Sequence, residues 1–263
     1  MTPDLRVLMV SDVSPLVMAG GAERVLWEQA SRLGKRGSRV RVISRRPERA
    51  AAETVEREGV HIRHYAVDRR SSLRFLLGSI VEARRAVTFA LAEEASDVLQ
   101  LYQPLSGYGA LRSDRARSLP CLYTFLSPAP LEYASREGMT GQHHHGLIGR
   151  VAQLTLWAIE RACLRRASRI HVLSDFSASQ IWKLYRITSD QIVKIPGGVD
   201  TGRFQPAADR ERVRRSLGVP AGSTVLLTVR NLEARMGLDS LIRAMDRLRQ
   251  RIPEVVLLIG GAG

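Results

Sequence analysis

The sequence has few cysteines, few aromatic residues and almost no lysine. Its 263 residues include two cysteines, Cys121 and Cys163, too few for a disulfide framework, so we expect buried thiols in a reducing compartment. Aromatic residues make up 5% of the chain, which argues against a surface that stacks single-stranded nucleic acid. No apolar run reaches the roughly 18 residues of a membrane span, and no signal-peptide pattern opens the chain. These absences predict a cytoplasmic protein without a nucleic-acid partner.

Positive charge dominates what is present. Lys and Arg number 40 against 26 acidic residues, which gives a net charge of +14. Only three of these 40 are lysines, a skew that partly reflects the base composition of the gene, so the charge carries little weight as a sign of function. The 44% of apolar residues supports a packed core. The length suits one and a half or two domains.

Strand-like and helix-like segments alternate along the chain. Strand-like segments occupy 5–11, 39–44, 60–67, 97–102, 119–125 and 169–174, and 191–199 holds one more strand and a turn. The segment 60–67 alternates between apolar and polar residues. Helical periodicity marks 22–33, 71–95, 147–166 and 175–185. Because parallel strands need crossover helices, this alternation predicts an α/β fold with a doubly wound parallel sheet.

The composition of the chain changes after Asp200. Residues 201–222 are rich in Arg, Asp, Pro and Gly, and the alternation then restarts with a strand at 223–229, a helix at 238–251 and a strand at 255–259. We therefore predict one domain over 1–200 and a second over 201–263. Two strands and one long helix cannot cover both faces of a parallel sheet, so the second domain is predicted to be incomplete.

Gly20 and Gly21 open a helix directly after the first strand. Ligands of parallel sheets bind at this end of the strands, and a helix N-terminus preceded by glycine suits an anion. A tight turn without a ligand is an equally good interpretation. The dinucleotide spacing G-x-G-x-x-G is missing, and the second strand ends in Arg45-Arg46 without an acid. An arginine pair suits a 2′-phosphate, so an NADP-dependent oxidoreductase remains as a weaker alternative.

A second strand-to-helix turn carries Arg230, Arg235 and Gly237. Arginine forks bind phosphate oxygens in pairs and can neutralise a departing diphosphate. In a chain this rich in arginine, solvated surface side chains are the competing interpretation. The glycines from Gly260 onward follow another apolar strand and either form a third such turn or a frayed end.

Three segments together resemble one enzyme family. They are GGAERVLWEQASRLGKRGSRVRVIS (20–44), HVLSDFSASQIWKLYRITSDQIVKIPGGVDTGRF (171–204) and TVRNLEARMGLDSLIRAM (228–245). In them the chain resembles the retaining family-4 glycosyltransferases, enzymes of the GT-B type with two Rossmann-like domains that use nucleotide sugars. The resemblance implies transfer of a sugar from a nucleotide-diphosphate sugar to a hydroxyl on a carbohydrate or lipid-linked acceptor, with retention. It also implies a role in cell-surface polysaccharide or glycolipid assembly, and no metal ion or other cofactor.

The resemblance also implies roles for single residues. Arg230 would contact the diphosphate, with Arg235 beside it as a second catalytic arginine and Gly237 in the same phosphate segment. Gly20 and Gly21 would form the loop that closes over the reacting groups. Residues predicted for the acceptor side or the boundary between domains are Ser127, Ser174 and Gly198.

Three departures from the family pattern affect this prediction. Met236 stands where the family has a lysine, and Leu126 stands where it has a histidine. The paired glutamates of the family would lie beyond residue 263. A chain cut short before them fits these departures, as does a second interpretation, a non-catalytic remnant or binding module.

The helix pattern at 147–166 has two interpretations. Trp157 and Arg161 share one face, as in helices that lie on membranes, while Ile148, Ile159 and Cys163 share the opposite face, predicted to be core. The helix either packs on the sheet with a rim of arginines or makes peripheral membrane contact. The adjacent histidines 143–145 do not predict a metal site, since neighbours in regular structure cannot all face one ion.

Overall fold

The computed structural model of the chain describes residues 5–17, 20–47, 52–139, 147–233 and 236–261. The chain divides into two compact units between Gly197 and Gly198. In the first unit the strands are β1 (Arg6–Ser11), β2 (Arg39–Arg45), β3 (Thr54–Arg57), β4 (Val60–Tyr65), β5 (Val98–Leu101), β6 (Cys121–Phe125), β7 (Arg169–Val172) and β8 (Ile192–Lys194). Its helices are α1 (Gly21–Lys35), α2 (Ser72–Glu93), α3 (Pro104–Leu111), α4 (Ala129–Met139), α5 (Leu147–Arg166) and α6 (Asp175–Tyr185).

The strands of the first unit form one sheet in the order β3-β4-β2-β1-β5-β6-β7-β8. All neighbouring strands are parallel except β3 and β4, which pair antiparallel. From β1 the chain first builds outward through β2 and β4, then crosses to β5 on the other side of β1. The direction of winding therefore reverses between β1 and β5, the point where sheets of this kind bind ligands.

Side chains of β1 alternate between two cores, one on each face of the sheet. Leu8 and Val10 join the larger core, which includes Ala83 of α2. Val7 and Met9 pack on the opposite face in a second core that includes Leu26, Trp27 and Ala30 of α1. Both faces of the sheet are thus covered by helices, which explains why its central strands are continuous apolar runs.

Helices α2 and α3 cross closely at Gly109. A Cβ atom added to Gly109 would collide with the carbonyl oxygen of Ile80 and would lie 3.1 Å from the Ala83 Cβ atom. Only glycine permits this approach, because the obstructing atoms belong to the backbone and first carbon of the neighbouring helix.

Two arginines form hydrogen bonds and an ion pair at the amino edge of the sheet. Arg41 donates from Nη1 to the Ala90 carbonyl oxygen at 2.6 Å and from Nη2 to the Ser96 Oγ atom at 2.9 Å, near the end of α2. A helix end leaves carbonyl groups without partners, and Arg41 Nη2 also donates to one of them, the carbonyl oxygen of the C-cap residue Glu94, at 2.5 Å. The Arg6 guanidinium lies 2.6 Å from the Asp97 Oδ1 atom, and hydrogen bonds from the Arg6 side chain and backbone hold the pKa of Asp97 at about 2.

The second unit contains α7 (Arg210–Ser216), β9 (Thr224–Val229), α8 (Leu238–Arg249) and β10 (Val255–Gly260). Strands β9 and β10 are parallel and pair along their whole length, from Thr224 with Val255 to Val229 with Gly260. Helix α8 connects them, so this unit repeats the βαβ arrangement of the first. The predicted α/β fold class, with a doubly wound parallel sheet, is confirmed.

One predicted core residue is exposed. Ile148 of α5 has 74% of its surface accessible, whereas Ile159 and Cys163 are buried as expected. The apolar face of α5 is buried against the sheet only in the second half of the helix. The periodicity of the sequence therefore predicted a longer buried face than the structure has. In the described part of the chain, no helix is both long enough and apolar enough to cross a membrane.

Candidate functional site

Gly20 and Gly21 lie where the sequence predicted, at the start of α1 beyond the carboxyl end of β1. Gly20 is the extended N-cap residue of α1, and no side chain caps this end of the helix. Its first N–H groups are therefore open to an anion. The carboxylate of Glu23 folds back toward Gly20, within 3.0 Å of where a Cβ would be, and it competes with an anion for this position. Residues 18 and 19 lie outside the described residues.

Hydrogen bonds join the segment after β1 to the start of α3. The Asp12 carboxylate accepts the backbone N–H groups of Leu105 and Ser106 at 3.3 and 2.9 Å. In return, the Gln103 Oε1 atom accepts the backbone N–H of Asp12 at 2.8 Å and lies 2.8 Å from the Ser11 Oγ atom. These contacts fix the backbone at the point where the winding of the sheet reverses, between β1 and β5.

A buried serine–histidine contact holds the same segment from the other side. The Ser14 Oγ atom lies 2.9 Å from the His64 Nε2 atom, and the His64 Nδ1 atom lies 3.1 Å from the Ala52 carbonyl oxygen. Burial lowers the pKa of His64, which favours the neutral ring. A neutral ring must donate from Nδ1 to the carbonyl and accept the serine proton at Nε2. This histidine thus orients Ser14, a role that the sequence analysis missed.

Two buried hydroxyl groups near this edge have no hydrogen-bond partner among the described residues. They are the Tyr65 Oη atom at the end of β4 and the Ser106 Oγ atom in the first turn of α3. Burial raises the pKa of Tyr65 well above its usual value, and the Asp12 carboxylate raises it further. The Tyr65 hydroxyl interacts with the Ser106 hydroxyl and the Asp12 carboxylate, although without good hydrogen-bond geometry. Both hydroxyl oxygen atoms are shielded from solvent, so they belong to the interior of this edge.

Ser127 and Ser174 follow β6 and β7 at the carboxyl edge of the same sheet. The Ser127 Oγ atom donates to the Glu132 Oε1 atom at 2.7 Å, across the first turn of α4. Ser174 is the N-cap of α6, where its Oγ atom accepts the backbone N–H of Ser177 at 3.2 Å. Both hydroxyls have structural partners, and capping alone accounts for a serine at position 174. Gly198 begins the second unit, and nothing in its surroundings requires glycine.

The second unit brings Arg230 and Gly237 together. Arg230 directly follows β9, and its Nη1 atom donates to the Met236 carbonyl oxygen at 2.7 Å. Gly237 is the N-cap of α8 with a positive φ of 66°, and no side chain caps this helix. The guanidinium is thus held beside an uncapped helix N-terminus, two sources of positive potential at one place. Arg235 lies outside the described residues.

Within the glycine-rich segment 260–263, the structure shows why position 261 requires glycine. A Cβ atom there would collide with the Arg230 carbonyl oxygen, and the φ of Gly261 is positive. The backbone N–H of Arg230 also donates to the Gly260 carbonyl oxygen at 2.9 Å. The glycines therefore let the end of β10 approach the backbone that carries Arg230, a function that the sequence alone did not reveal.

No described group of three His, Cys, Asp or Glu side chains has the geometry to hold a metal ion. The histidines 143–145 lie outside the described residues. Arg45 and Arg46 are the pair that suggested an NADP-dependent enzyme. The Arg45 guanidinium stacks 4.6 Å above the centre of the Phe75 ring, and the Arg46 Nη2 atom lies 3.9 Å from the Glu53 Oε2 atom.

A doubly wound sheet followed by a βαβ unit with an arginine at its carboxyl edge defines the class as a two-unit Rossmann-like protein of the GT-B type. Solved structures of this fold cover nearly the whole chain. Sucrose-phosphate synthase from Thermosynechococcus elongatus matches with a TM-score of 0.74 at 20% identity, over 98% of this chain and 62% of that one. Anabaena HepE in complex with UDP and glucose matches with a TM-score of 0.62 at 19% identity, over 97% and 61%.

The family model for Glycosyltransferase Family 4 matches residues 19–203, and the chain belongs to this family. A D-inositol 3-phosphate glycosyltransferase of Kineococcus radiotolerans is 30% identical over 98% of this chain and 61% of its own length. A GDP-mannose-dependent alpha-(1-6)-phosphatidylinositol monomannoside mannosyltransferase of Mycolicibacterium smegmatis is 34% identical over 52% of this chain and 36% of its own. The chain thus spans about three fifths of the first relative. Family membership favours a glycosyltransferase over the oxidoreductase alternative.

Proposed function

We propose that the protein serves the transfer of a sugar from a nucleotide-diphosphate sugar to a hydroxyl acceptor, with retention of configuration, in cell-surface polysaccharide or glycolipid assembly. The observation that carries the proposal is the position of Arg230, held by the Met236 carbonyl beside the uncapped N-terminus of α8. Family membership supports the same reaction. The proposed location is cytoplasmic, where this chemistry would meet nucleotide sugars.

In this proposal the second unit binds the donor. A diphosphate oxygen accepts from the free donors of Arg230 and from the first N–H groups of α8, while Gly237 leaves their approach unobstructed. As the bond between sugar and diphosphate breaks, negative charge grows on the diphosphate. The guanidinium and the helix dipole stabilise that charge without a metal ion. A structural neighbour, Anabaena HepE, solved in complexes with UDP, supports a nucleotide donor.

The first unit would bind the acceptor at the carboxyl edge of its sheet. The backbone at this edge is fixed by the bonds from Leu105 and Ser106 to the Asp12 carboxylate, and Gly20 and Gly21 would close over the reacting groups. The names of the relatives, which act on inositol 3-phosphate or phosphatidylinositol monomannoside, support a polyhydroxylated acceptor.

A lipid-linked acceptor would bring this protein to a membrane surface through α5. The contact cannot use the predicted face as a whole, because Trp157 packs inward. Its Nε1 atom donates to the Leu184 carbonyl oxygen at 2.9 Å, and its ring stacks on Tyr185. The apolar side chains that α5 exposes are Leu147, Ile148, Val151 and Leu154. Peripheral contact is therefore proposed for the first half of the helix.

The alternative, a non-catalytic binding module, is favoured by Met236 and Leu126, which supply neither the charge nor the imidazole of the family pattern. Calorimetric titration of UDP and GDP tests both functions. Arg230→Ala should weaken binding about 10- to 100-fold, because a hydrogen bond to a charged group contributes about 1.5–3 kcal/mol. Arg249→Ala, at the far end of α8, is the matched control and should change affinity less than twofold.

Three outcomes separate the hypotheses. Binding that depends on Arg230, followed by transfer of glucose from UDP-glucose with the α-anomer as product, supports the enzyme. Binding without transfer supports the module. If Arg230→Ala and Arg249→Ala weaken binding equally, the donor site is not at α8 and the proposal is wrong.

A further inference from the structure

Helix α5 carries a carboxylate in the core of the first unit. Glu160 is 1% exposed, and none of the ion pairs formed by the described residues includes it. Its Oε1 atom accepts from the Tyr123 hydroxyl at 3.1 Å, and its Oε2 atom accepts from the backbone N–H of Ala129 at 2.9 Å and from the Tyr185 hydroxyl. A buried acid is costly unless its oxygens are satisfied, and here three donors satisfy them.

These three donors come from three different elements. Tyr123 lies in β6, Ala129 begins α4 and Tyr185 ends α6. The Tyr185 ring is itself fixed by contacts with Phe125, edge to face, and with Trp157, stacked. Glu160 therefore joins a rigid aromatic cluster to the first residue of α4.

The contact with Ala129 sets the position of the segment between β6 and α4. This segment consists of residues 126–128 and lies at the carboxyl edge of the sheet. It carries Ser127, which reaches forward to Glu132, while the backbone N–H of Glu132 donates to the Pro128 carbonyl oxygen at 3.0 Å. These local contacts shape the segment, and the bond from Ala129 to Glu160 is what ties it to the core.

We propose that Glu160 is a positioning residue, whose carboxylate holds the 126–129 segment, and with it Ser127, in place at the acceptor edge of the sheet. The proposal rests on the proposed function, because it assigns this segment to acceptor binding. It needs no contact between Glu160 and the substrate.

Protonation would weaken this hold. All three hydrogen-bond partners of the carboxylate are donors. If either carboxylate oxygen is protonated, its new O–H group faces a donor, unless a tyrosine hydroxyl rotates to accept it. Burial raises the pKa of Glu160 to about 7. The titratable groups that face it are Tyr123 from β6, Tyr185 from α6, Glu132 from α4 and Cys163 from α5 itself. The segment is therefore expected to loosen as the pH falls below neutrality.

Amide hydrogen exchange at Ala129 tests the contact directly. In the intact chain, protection of this amide, corrected for intrinsic exchange, should fall as the pH is lowered from 8 to 6. Glu160→Gln, which presents an amide in place of one carboxylate oxygen, should raise exchange at Ala129 at least tenfold and remove its pH dependence. Asp97→Asn, which breaks the pair with Arg6 at the opposite edge, is the control and should leave Ala129 unchanged. Unchanged protection in a folded Glu160→Gln protein would overturn the proposal.

Kinetics separate positioning from a general structural role. With UDP-glucose as donor and inositol 3-phosphate as acceptor, Glu160→Gln should raise the acceptor KM severalfold and leave the donor KM within twofold. Equal effects on both substrates would also overturn the proposal. If Glu160→Gln does not fold, Tyr123→Phe keeps the carboxylate, removes one donor and should raise exchange at Ala129 only slightly. If the wild type neither binds UDP nor transfers glucose, the proposed function fails, while exchange at Ala129 still decides whether Glu160 holds the segment.

Discussion

The crossing of α2 and α3 predicts an unequal response to two alanine substitutions on one helix. At Gly109, the new methyl group meets the Ile80 carbonyl oxygen and the Ala83 side chain. At Gly107, two residues earlier on α3, it would lie 3.4 Å from the Leu101 Cδ1 atom and 3.6 Å from the Cys163 Sγ atom, which is close to ordinary contact. Both substitutions add the same atom and improve the helix propensity equally.

The magnitudes follow from these contacts. Replacing a helical glycine with alanine stabilises a helix by about 1 kcal/mol. Overpacking a core costs roughly 1–3 kcal/mol and occasionally more. The upper end applies to Gly109, because the Ile80 oxygen belongs to the backbone of α2 and cannot rotate away. Gly109→Ala should therefore destabilise the protein by about 2 kcal/mol net, whereas Gly107→Ala should be neutral or stabilise it by up to about 1 kcal/mol.

Urea denaturation followed by tryptophan fluorescence measures this difference, because all three tryptophans lie in the first unit. The two variants should share the wild-type m-value and differ in midpoint. In a thermal scan, a loss of about 2 kcal/mol lowers Tm by roughly 4–8 °C for a domain of this size. Equal stability of the two variants would refute the close crossing. It would also contradict the described position of the α3 N-terminus, whose N–H groups donate to the Asp12 carboxylate.

Two further substitutions test other parts of the molecule. Gly237→Ala should destabilise the second unit by about 1–2 kcal/mol because of its positive φ, whereas Gly198→Ala should not, and urea titration followed by circular dichroism distinguishes them. Val151→Glu combined with Leu154→Glu should reduce co-sedimentation with phosphatidylglycerol vesicles severalfold. Leu217→Glu, which changes an exposed leucine of the second unit, should not reduce it. If both proteins sediment alike, the first half of α5 is not the contact surface.

The sequence predicted those elements whose burial leaves a periodic pattern. Strand β1 is an apolar run because helices cover both faces of the sheet, and α1 has one apolar face because only one side of it meets the sheet. Helix α3 escaped prediction because six of its eight residues are buried, so it shows no polar face, and it contains two glycines. Strand β3 also escaped, since its side chains are mostly exposed and only pairing with β4 makes it a strand.

Glycines at helix starts can be recognised from the sequence, because they stand between a strand and a helix. Gly20, Gly21 and Gly237 lie at such positions, and of these three only Gly237 has a positive φ that favours glycine. Glu160 could not be recognised, because a glutamate on an arginine-rich helix normally indicates a solvent-exposed side chain. Its role depends on hydroxyls that are 37 and 25 residues away in the chain. Contacts of that range leave no local pattern.

The methionine at position 236 changes less than the family comparison suggests. The family pattern has a lysine there, and its loss removes one positive charge from the proposed diphosphate site. The orientation of Arg230, however, depends on the carbonyl oxygen of residue 236 and not on its side chain. Gly261 further fixes the same arginine by allowing β10 to approach its backbone. The side chain at position 236 therefore does not itself hold Arg230 in place. In the proposed mechanism, methionine in place of lysine would weaken the electrostatic stabilisation of a leaving diphosphate but would leave the bond between Arg230 and the carbonyl oxygen of residue 236 unchanged.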